Sequence, residues 1–189
     1  MSDTEELTIE ISEESEEFTI DTTGMKVDLR HYKAFGAKYA LHYRRTLLGD
    51  EMGLGKTIQA LALINHLYQK NERSSIVVCP LSVLANWKRE IELHSNLKVF
   101  VFHGNQREEA LRNWADQQGI LLTTYEQAFH LDKKHLSIHA LIVDEAHYIK
   151  NPNAKRSRSV YQLAKLSEYV LFMSGTPLEN RLEEMKQLI

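Results

Sequence analysis

Short apolar runs alternate with longer amphipathic segments along most of the chain. The apolar runs are rich in Val, Ile and Leu, as in buried parallel strands: LLG, SSIVVCP, KVFVFHG, GILLTTYE, HALIVDE and EYVLFMSGT. The segments between them are long enough for crossover helices: TIQALALINHLYQK, SVLANWKREIELH, NQREEALRNWADQQ and AKRSRSVYQLAKLS. This alternation predicts an α/β fold in which a doubly wound, mainly parallel sheet is the middle layer of a three-layer sandwich.

The chain before the first strand divides into two parts. Residues 28–45, DLRHYKAFGAKYALHYRR, predict an amphipathic helix with Asp28 as its cap. Residues 1–27 form an acidic leader with two alternating stretches, LTIEIS and EFTID, which pair as a hairpin or stay disordered; the pattern does not decide between these. We therefore expect one folded domain over residues 28–189.

Composition narrows the class of protein. A length of 189 residues suits a single α/β domain, and no apolar run approaches the roughly 18 residues of a transmembrane helix. Cys79 is the only cysteine, so an intrachain disulfide is excluded, and the start lacks the pattern of a secretory signal. These features favour an intracellular protein without membrane contact, in a bacterial cytoplasm or a nucleus.

The charge is unevenly distributed. Residues 1–22 hold nine of the 26 acidic residues and none of the 23 basic ones, so the rest of the chain is net basic although the whole carries −3. A basic body is compatible with a phosphate-rich partner, and equally with a solvated surface of mixed charge.

A candidate phosphate loop follows the first strand in LLGDEMGLGKTIQ. This stretch predicts a strand, then a glycine-containing turn, then the start of a helix. In that order several backbone N–H groups point at one place, as the binding of a di- or triphosphate requires. Gly53 and Gly55 permit close backbone approach, Lys56 would reach the β- and γ-phosphates, and the Thr57 hydroxyl would bind Mg²⁺. Asp50 stands where this motif usually has glycine, and an ordinary turn is the alternative.

An acidic pair ends a second apolar strand in ALIVDEAH. Asp144 would hold Mg²⁺ through its water shell, while Glu145 would orient and deprotonate an attacking water. The alternative is a solvated acidic turn, which the phosphate loop elsewhere in the chain makes less attractive.

Polar residues after these strands are candidates for supporting roles. His147 is ambiguous by itself, because a histidine after a strand is more often a packing or capping residue than a catalytic one. Ser174, Gly175 and Thr176 follow the last strand, and the two hydroxyls, next to His147, could register whether the γ-phosphate is present. A polar turn before Pro177 is the alternative.

Taken together, DEMGLGKT, PLSVLANW, TTYE, DEAH and SGTPLEN in this order resemble the Swi/Snf-type DNA-translocating ATPases of helicase superfamily 2. The resemblance runs from about Leu29 to Ile189. It implies the first RecA-like lobe of a P-loop NTPase that uses ATP and Mg²⁺. In this family the loop carries an acid at the position of Asp50, and Leu54 lies within the same loop.

The resemblance also implies duplex DNA as a partner. RNA helicases with DEAH usually have SAT where this chain has SGT, so the resemblance favours DNA. It assigns backbone-contacting or supporting roles to PLSVLANW and TTYE, with Trp87 equally suited to the core. The residues implied are Ser82, Asn86, Trp87, Thr123, Thr124 and Tyr125.

A basic segment follows the acidic pair in YIKNPNAKRSRS. The resemblance implies that it faces DNA, with Lys150, Asn151, Lys155, Arg156 and Arg158 as the cluster. A solvated helix face is the alternative.

One position departs from the family pattern. The family places glutamine after the tyrosine of its adenine-reading motif, whereas LRHYK has Lys33 there. An ammonium donates but cannot accept a hydrogen bond, so we expect weak discrimination of ATP from GTP. Arg30 and Tyr32 could still stack on or flank the base.

The sequence therefore predicts the ATP-binding lobe of an ATP-dependent DNA translocase. The family has a second RecA-like lobe, which carries arginine fingers, and its chains continue beyond RLEEMKQLI, so we expect the isolated chain to be nearly inactive. The alternative is a nucleotide- or DNA-binding module without turnover. Whether a protein target is remodelled stays open.

Overall fold

Six parallel strands form the central sheet. The computed structural model describes residues 19–29, 31–49, 55–149, 151 and 153–175, with only the backbone at residues 31–33. The strand order is β1-β6-β5-β2-β4-β3 and all pairs are parallel. The strands are β1 (Arg45–Leu48), β2 (Ser74–Cys79), β3 (Val99–Phe102), β4 (Gly119–Thr124), β5 (Ile138–Val143) and β6 (Ser167–Met173).

Helices connect the strands. They are α1 (His31–Tyr43), α2 (Lys56–Gln69), α3 (Leu81–His94), α4 (Arg107–Gln117), α5 (Tyr125–Ala128) and α6 (Lys155–Lys165). Two short 3₁₀ helices span Gly104–Gln106 and Ala146–Ile149. Among the described residues, no helix is long and apolar enough to span a membrane.

A separate apolar core lies on each face of the sheet. Val77 and Cys79 of β2 pack on one face with α1, α2 and α3, whereas Ile76 and Val78 pack on the other with α4, α5 and α6. Successive strand residues point to opposite faces, so a sheet that is covered on both sides needs continuous apolar runs. The predicted α/β three-layer fold is confirmed.

Residues 19–29 pack along the ends of α2 and α3. Met25 forms an antiparallel bridge with Ser95, and the backbone N–H of Asp21 donates to Nδ1 of His66 at 2.9 Å. The packed unit therefore reaches ahead of the boundary expected at residue 28. The leader over residues 1–18, including LTIEIS, lies outside the described residues.

Helix α1 begins later than predicted. It starts at His31, so Asp28 is not adjacent to the first turn and the predicted cap is wrong. The physical reason is upstream: the backbone of Gly24 and Lys26 is hydrogen-bonded to Asn96 and His94, and Leu29 packs into the core before the helix can start.

Candidate active site

Three neighbouring strands end at the site. β1, β6 and β5 are adjacent in the sheet, and their carboxyl ends lead into the phosphate-loop region, Ser174 and the acidic pair. Ligands of open parallel sheets bind at this edge. The sheet thus assembles residues that lie far apart along the chain.

Lys56 lies at the start of α2 and reaches the end of β6. Gly55 precedes it with φ +97°, a left-handed conformation that favours glycine, as the helix cap. The Nζ of Lys56 donates to the carbonyl oxygen of Ser174 at 3.2 Å, and the N–H of Ser174 donates to the carbonyl of Leu48 at 3.0 Å. The lysine is thereby held at the ends of β1 and β6, and Thr57 follows it, partly exposed.

Asp144 is oriented from two sides. Its Oδ1 accepts a hydrogen bond from the N–H of Glu145 at 2.9 Å, and its Oδ2 accepts one from Nε1 of Trp87 at 2.8 Å. Its own N–H continues the sheet by donating to the carbonyl of Val78 at 2.9 Å. The carboxylate is partly exposed and each oxygen keeps a free lone pair, since an ionised carboxylate can accept about four hydrogen bonds.

Glu145 has a left-handed backbone with φ +53°. The Tyr125 hydroxyl contacts the backbone carbonyl oxygens of Asp144 and of Glu145, the latter at 3.2 Å. The N–H of Tyr148 donates to the Glu145 carbonyl at 2.9 Å, where the 3₁₀ helix begins. These contacts hold a conformation that non-glycine residues adopt at a cost.

His147 contacts the second acid. Its Nδ1 lies 3.1 Å from Oε2 of Glu145, without the alignment of a hydrogen bond, and the contact is an ion pair only when the imidazole is protonated. The structure thus brings together two predicted catalytic residues.

Burial raises the pKa of two groups near the acidic pair. Burial, with the Asp144 carboxylate as the second cause, raises the pKa of the Cys79 thiol to about 12. The same two causes, in the same order, raise the pKa of the Tyr125 phenol well above its usual range. Both groups therefore stay protonated to a higher pH than the same groups do in water.

The donor set suits a magnesium ion. Mg²⁺ prefers oxygen ligands and commonly binds through one or two carboxylates with waters and phosphate oxygens. The hydroxyl of Thr57 and the accessible Asp144 carboxylate are of this kind. Within the described ranges no group of three or more His, Cys, Asp or Glu side chains could hold a metal, so phosphate and water would complete the shell.

The predicted DNA residues separate into exposed and buried ones. Ser82 and Asn86 are exposed on α3, whereas Trp87, Thr123 and Tyr125 are at most 2% exposed. The Thr123 hydroxyl donates to the Phe102 carbonyl at 3.0 Å, and Thr124 caps α5 by accepting from the N–H of Gln127. The buried residues are thus placed to support the surface, and their phosphate contacts stay predictions.

A depression of about 470 Å³ lies beside these residues. Ser82, Thr124, Tyr125, His103 and Tyr148 are among those lining it. It lies beyond the carboxyl ends of β2 and β4, next to the acidic pair.

The basic segment is exposed and partly stacked on aromatic rings. The Arg156 guanidinium lies 5.6 Å from the ring centroid of Tyr148, and the Lys155 ammonium lies 5.5 Å from that of Phe129. Asn151 and Arg158 are exposed as well. Its DNA role remains a prediction.

Several candidates lie outside the described residues. These are Arg30, Asp50, Gly53, Leu54, Lys150 and Thr176, together with the side chains of Tyr32 and Lys33.

Fold and site together define the class: an α/β domain of RecA-like fold, with a lysine-bearing helix start beside an acidic pair at the carboxyl edge of a parallel sheet. Residues 30–189 match the SNF2-related domain, and the chain belongs to this family. The family predicted by the sequence is therefore confirmed.

Relatives and a solved structure support this assignment. The chain is 34% identical to "Helicase swr1" of Schizosaccharomyces pombe, covering 85% of this chain and 13% of the relative. It is 36% identical to mouse "Chromodomain-helicase-DNA-binding protein 1-like", covering 88% and 20%, and 34% identical to "Putative ATP-dependent helicase/translocase YwqA" of Bacillus subtilis, covering 85% and 18%. The chain thus spans a fifth or less of each of these curated relatives.

One similar solved structure is "Sulfolobus solfataricus SWI2/SNF2 ATPase core in complex with dsDNA". The match has a TM-score of 0.76 and 32% identity, and covers 90% of this chain and 37% of that one.

Proposed function

We propose that this chain is the ATP-binding lobe of an ATP-dependent translocase on duplex DNA, the first of two RecA-like lobes. The carrying observation is the contact between Lys56 and the end of β6, the neighbour of the strand that presents Asp144 and Glu145. A cation and an acidic pair at adjacent strand ends are what phosphoryl transfer needs for positioning and charge stabilisation.

Each side chain has a distinct task in this proposal. The Lys56 ammonium neutralises charge on the β- and γ-phosphates. Glu145 orients a water and accepts its proton, while His147 touches this carboxylate at 3.1 Å and restricts its orientation. Asp144 and Thr57 would hold a hydrated Mg²⁺, which when bound neutralises phosphate charge.

Duplex DNA is the proposed macromolecular partner. The solved neighbour was determined with double-stranded DNA, and Ser82, Asn86 and the depression beside Thr124 offer polar groups suited to phosphates. Hydroxyl, amide and guanidinium contacts to the backbone hold DNA without recognising its sequence. A protein remodelling target is compatible with this proposal.

Efficient turnover is proposed to need the second lobe. An arginine finger is worth about 10³ to 10⁵ in rate in related nucleotide hydrolases. We infer that the chain alone binds nucleotide and hydrolyses it barely above background. Adding the second lobe of the parent protein should restore DNA-stimulated hydrolysis, and Glu145→Gln should abolish it while leaving binding intact. Strong turnover by the chain alone would contradict the two-lobe proposal.

The binding step is tested by titrating fluorescent ATP with Mg²⁺ against Lys56→Ala and Lys70→Ala. Lys70 lies just after the other end of the same helix, so its loss removes equal charge away from the site. We expect Lys56→Ala to bind at least about tenfold more weakly, a change of 1.4 kcal/mol, and Lys70→Ala to bind like the unchanged protein. Equal affinity in all three proteins would reject the site.

A further inference from the structure

Trp87 links α3 to the acidic pair. Its ring is 2% exposed and its Nε1 donates to Oδ2 of Asp144 at 2.8 Å. The two residues come from different elements, 57 positions apart. An indole N–H has no alternative role as an acceptor, so this bond uses the single polar atom of a large buried side chain.

The bond fixes the rotation of the Asp144 carboxylate. With Oδ1 bonded to the N–H of Glu145 and Oδ2 bonded to Trp87, both oxygens have assigned donors. A carboxylate at a strand end without the second donor would rotate about its side-chain torsions. Trp87 therefore determines which lone pairs face the phosphate side.

The other face of α3 is open to solvent. Leu81 is 59% exposed, and Ser82 and Asn86 are exposed too. Trp87 lies inside the continuous helix Leu81–His94. Because a helix moves as a rigid element, a displacement of its exposed face also displaces Trp87. The carboxylate is thus mechanically attached to a surface element.

We propose that Trp87 is a positioning residue for Asp144: its indole N–H holds the carboxylate in the orientation that binds the hydrated metal of a metal–nucleotide complex, and connects that orientation to helix α3. The proposal rests on the proposed function, because it concerns the same nucleotide site.

The chain contains its own matched control. Trp114 is the only other tryptophan, is 4% exposed, and donates from Nε1 to the carbonyl of Gly119 at 3.0 Å. Trp114→Phe thus removes a comparable buried indole hydrogen bond on the face of the sheet opposite Trp87.

The test measures the affinity for ATP by calorimetry with Mg²⁺ and with EDTA, in the unchanged chain, Trp87→Phe and Trp114→Phe. Loss of a residue that orients a metal ligand typically costs 10- to 100-fold in metal affinity. We expect Trp87→Phe to reduce the ratio of the two affinities by about tenfold at unchanged affinity in EDTA, and Trp114→Phe to preserve the ratio.

The outcomes separate the two proposals. If the unchanged chain binds no nucleotide, or binds it independently of Lys56, the proposed function fails and the role of Trp87 fails with it. If the unchanged chain binds and Trp87→Phe keeps the full Mg²⁺ ratio, only the role of Trp87 is overturned. If Trp87 had a purely structural role, Trp87→Phe would lower the ATP affinity equally with Mg²⁺ and with EDTA. That result would also overturn the positioning role.

A second measurement covers the case in which Trp87→Phe does not fold. The isostere β-(3-benzothienyl)alanine at position 87 keeps the ring shape and removes only the N–H. In the ¹⁵N-labelled chain, Asp144→Asn should shift the Trp87 indole resonance and leave that of Trp114 in place. An unmoved Trp87 resonance, or a full Mg²⁺ ratio with the isostere, would overturn the proposal.

Discussion

The phenolic hydroxyl of Tyr125 donates to the backbone carbonyl of Asp144. Tyr125 starts α5, directly after the capping residue Thr124, and its ring stacks on that of Tyr148 at 5.6 Å. Tyr125 thus bonds to the backbone of the acidic turn, whereas Trp87 bonds to the Asp144 carboxylate.

Tyr125→Phe should loosen this turn. Removing the hydroxyl leaves the partly buried Asp144 carbonyl without this donor, so we expect a loss of about 1–2 kcal/mol in the free energy of unfolding by urea. The N–H of Tyr148, bonded to the Glu145 carbonyl, should exchange its hydrogen faster. Tyr161→Phe is the control, because that hydroxyl donates to the Ile149 carbonyl at 3.1 Å. Exchange of the Tyr148 N–H at the same rate in Tyr125→Phe as in the unchanged chain would refute the local role.

Glu145→Gly should be more stable than Glu145→Ala, and both variants remove the proposed base. The φ of +53° costs a residue with a Cβ roughly 1 kcal/mol relative to glycine. The matched variant is Glu145→Ala, which removes the same carboxylate and keeps the Cβ. We expect Glu145→Gly to exceed Glu145→Ala by about 0.5–1 kcal/mol in urea unfolding. A more stable alanine variant would show that this backbone is not strained.

Gly36→Ala should be strongly destabilising, and Gln59→Ala should rescue it. A Cβ at position 36 would lie 1.7 Å from Oε1 of Gln59 and 3.0 Å from Cδ1 of Leu48. Gln59 is 1% exposed and neither of its amide atoms has a hydrogen-bond partner, so its truncation should cost little. We expect Gly36→Ala to cost more than about 2 kcal/mol and the double variant to recover most of it. Additive effects would disprove the clash.

Stability should fall with rising pH above about 9 because of Cys79. Its folded pKa of about 12 lies above the ordinary value of 9.0, so the unfolded chain releases this proton first. The contribution of the protonated Cys79 thiol to the free energy of unfolding is therefore complete below pH 9 and is lost between pH 9 and 12. Urea midpoints at pH 8 and 10.5 should differ less in Cys79→Ala than in the unchanged chain. If the urea midpoints differ equally in both proteins, the Cys79 thiol is not the cause of the pH dependence.

The basic segment should control the salt dependence of DNA binding. Replacing Lys155, Arg156 and Arg158 with alanine should reduce the slope of log affinity against log salt, because fewer counterions are released. Duplexes of different sequence should bind alike. Exposed Lys70, Lys98 and Arg112 supply a control triple of equal charge. If both triples change the slope equally, the segment is an ordinary solvated surface.

Much of this architecture could be predicted from the sequence, because the spacing of apolar residues and the amino-acid composition of each segment indicate strands and helices. The apolar runs coincide with the strands, the acids after Val143 mark the end of β5, and the glycine before Lys56 marks the start of α2. The order of the strands was not predicted, because alternation alone does not say that β6 lies between β1 and β5.

The contacts that hold the acidic pair in place could not be predicted from neighbouring residues in the sequence. The bond from Trp87 to Asp144 spans 57 positions, and that from Tyr125 spans 19, so no spacing rule applies to them. GILLTTYE was predicted as one strand, but β4 ends at Thr124 and a helical turn begins at Tyr125, because the Thr124 hydroxyl caps this turn. The contact of Gly36 with Gln59 is likewise set by how two helices pack.

The edge position of β1 has a consequence for synthesis on the ribosome. β1 pairs only with β6 in the described sheet, and Lys56 and Ser174 are separated by 118 positions. The phosphate-loop lysine therefore leaves the ribosome long before its strand acquires a partner, and contacts of such separation form slowly. Until β6 emerges, the apolar edge of β5 is exposed for pairing with other chains. A nascent chain stalled before β6 should thus be a preferred substrate for chaperones.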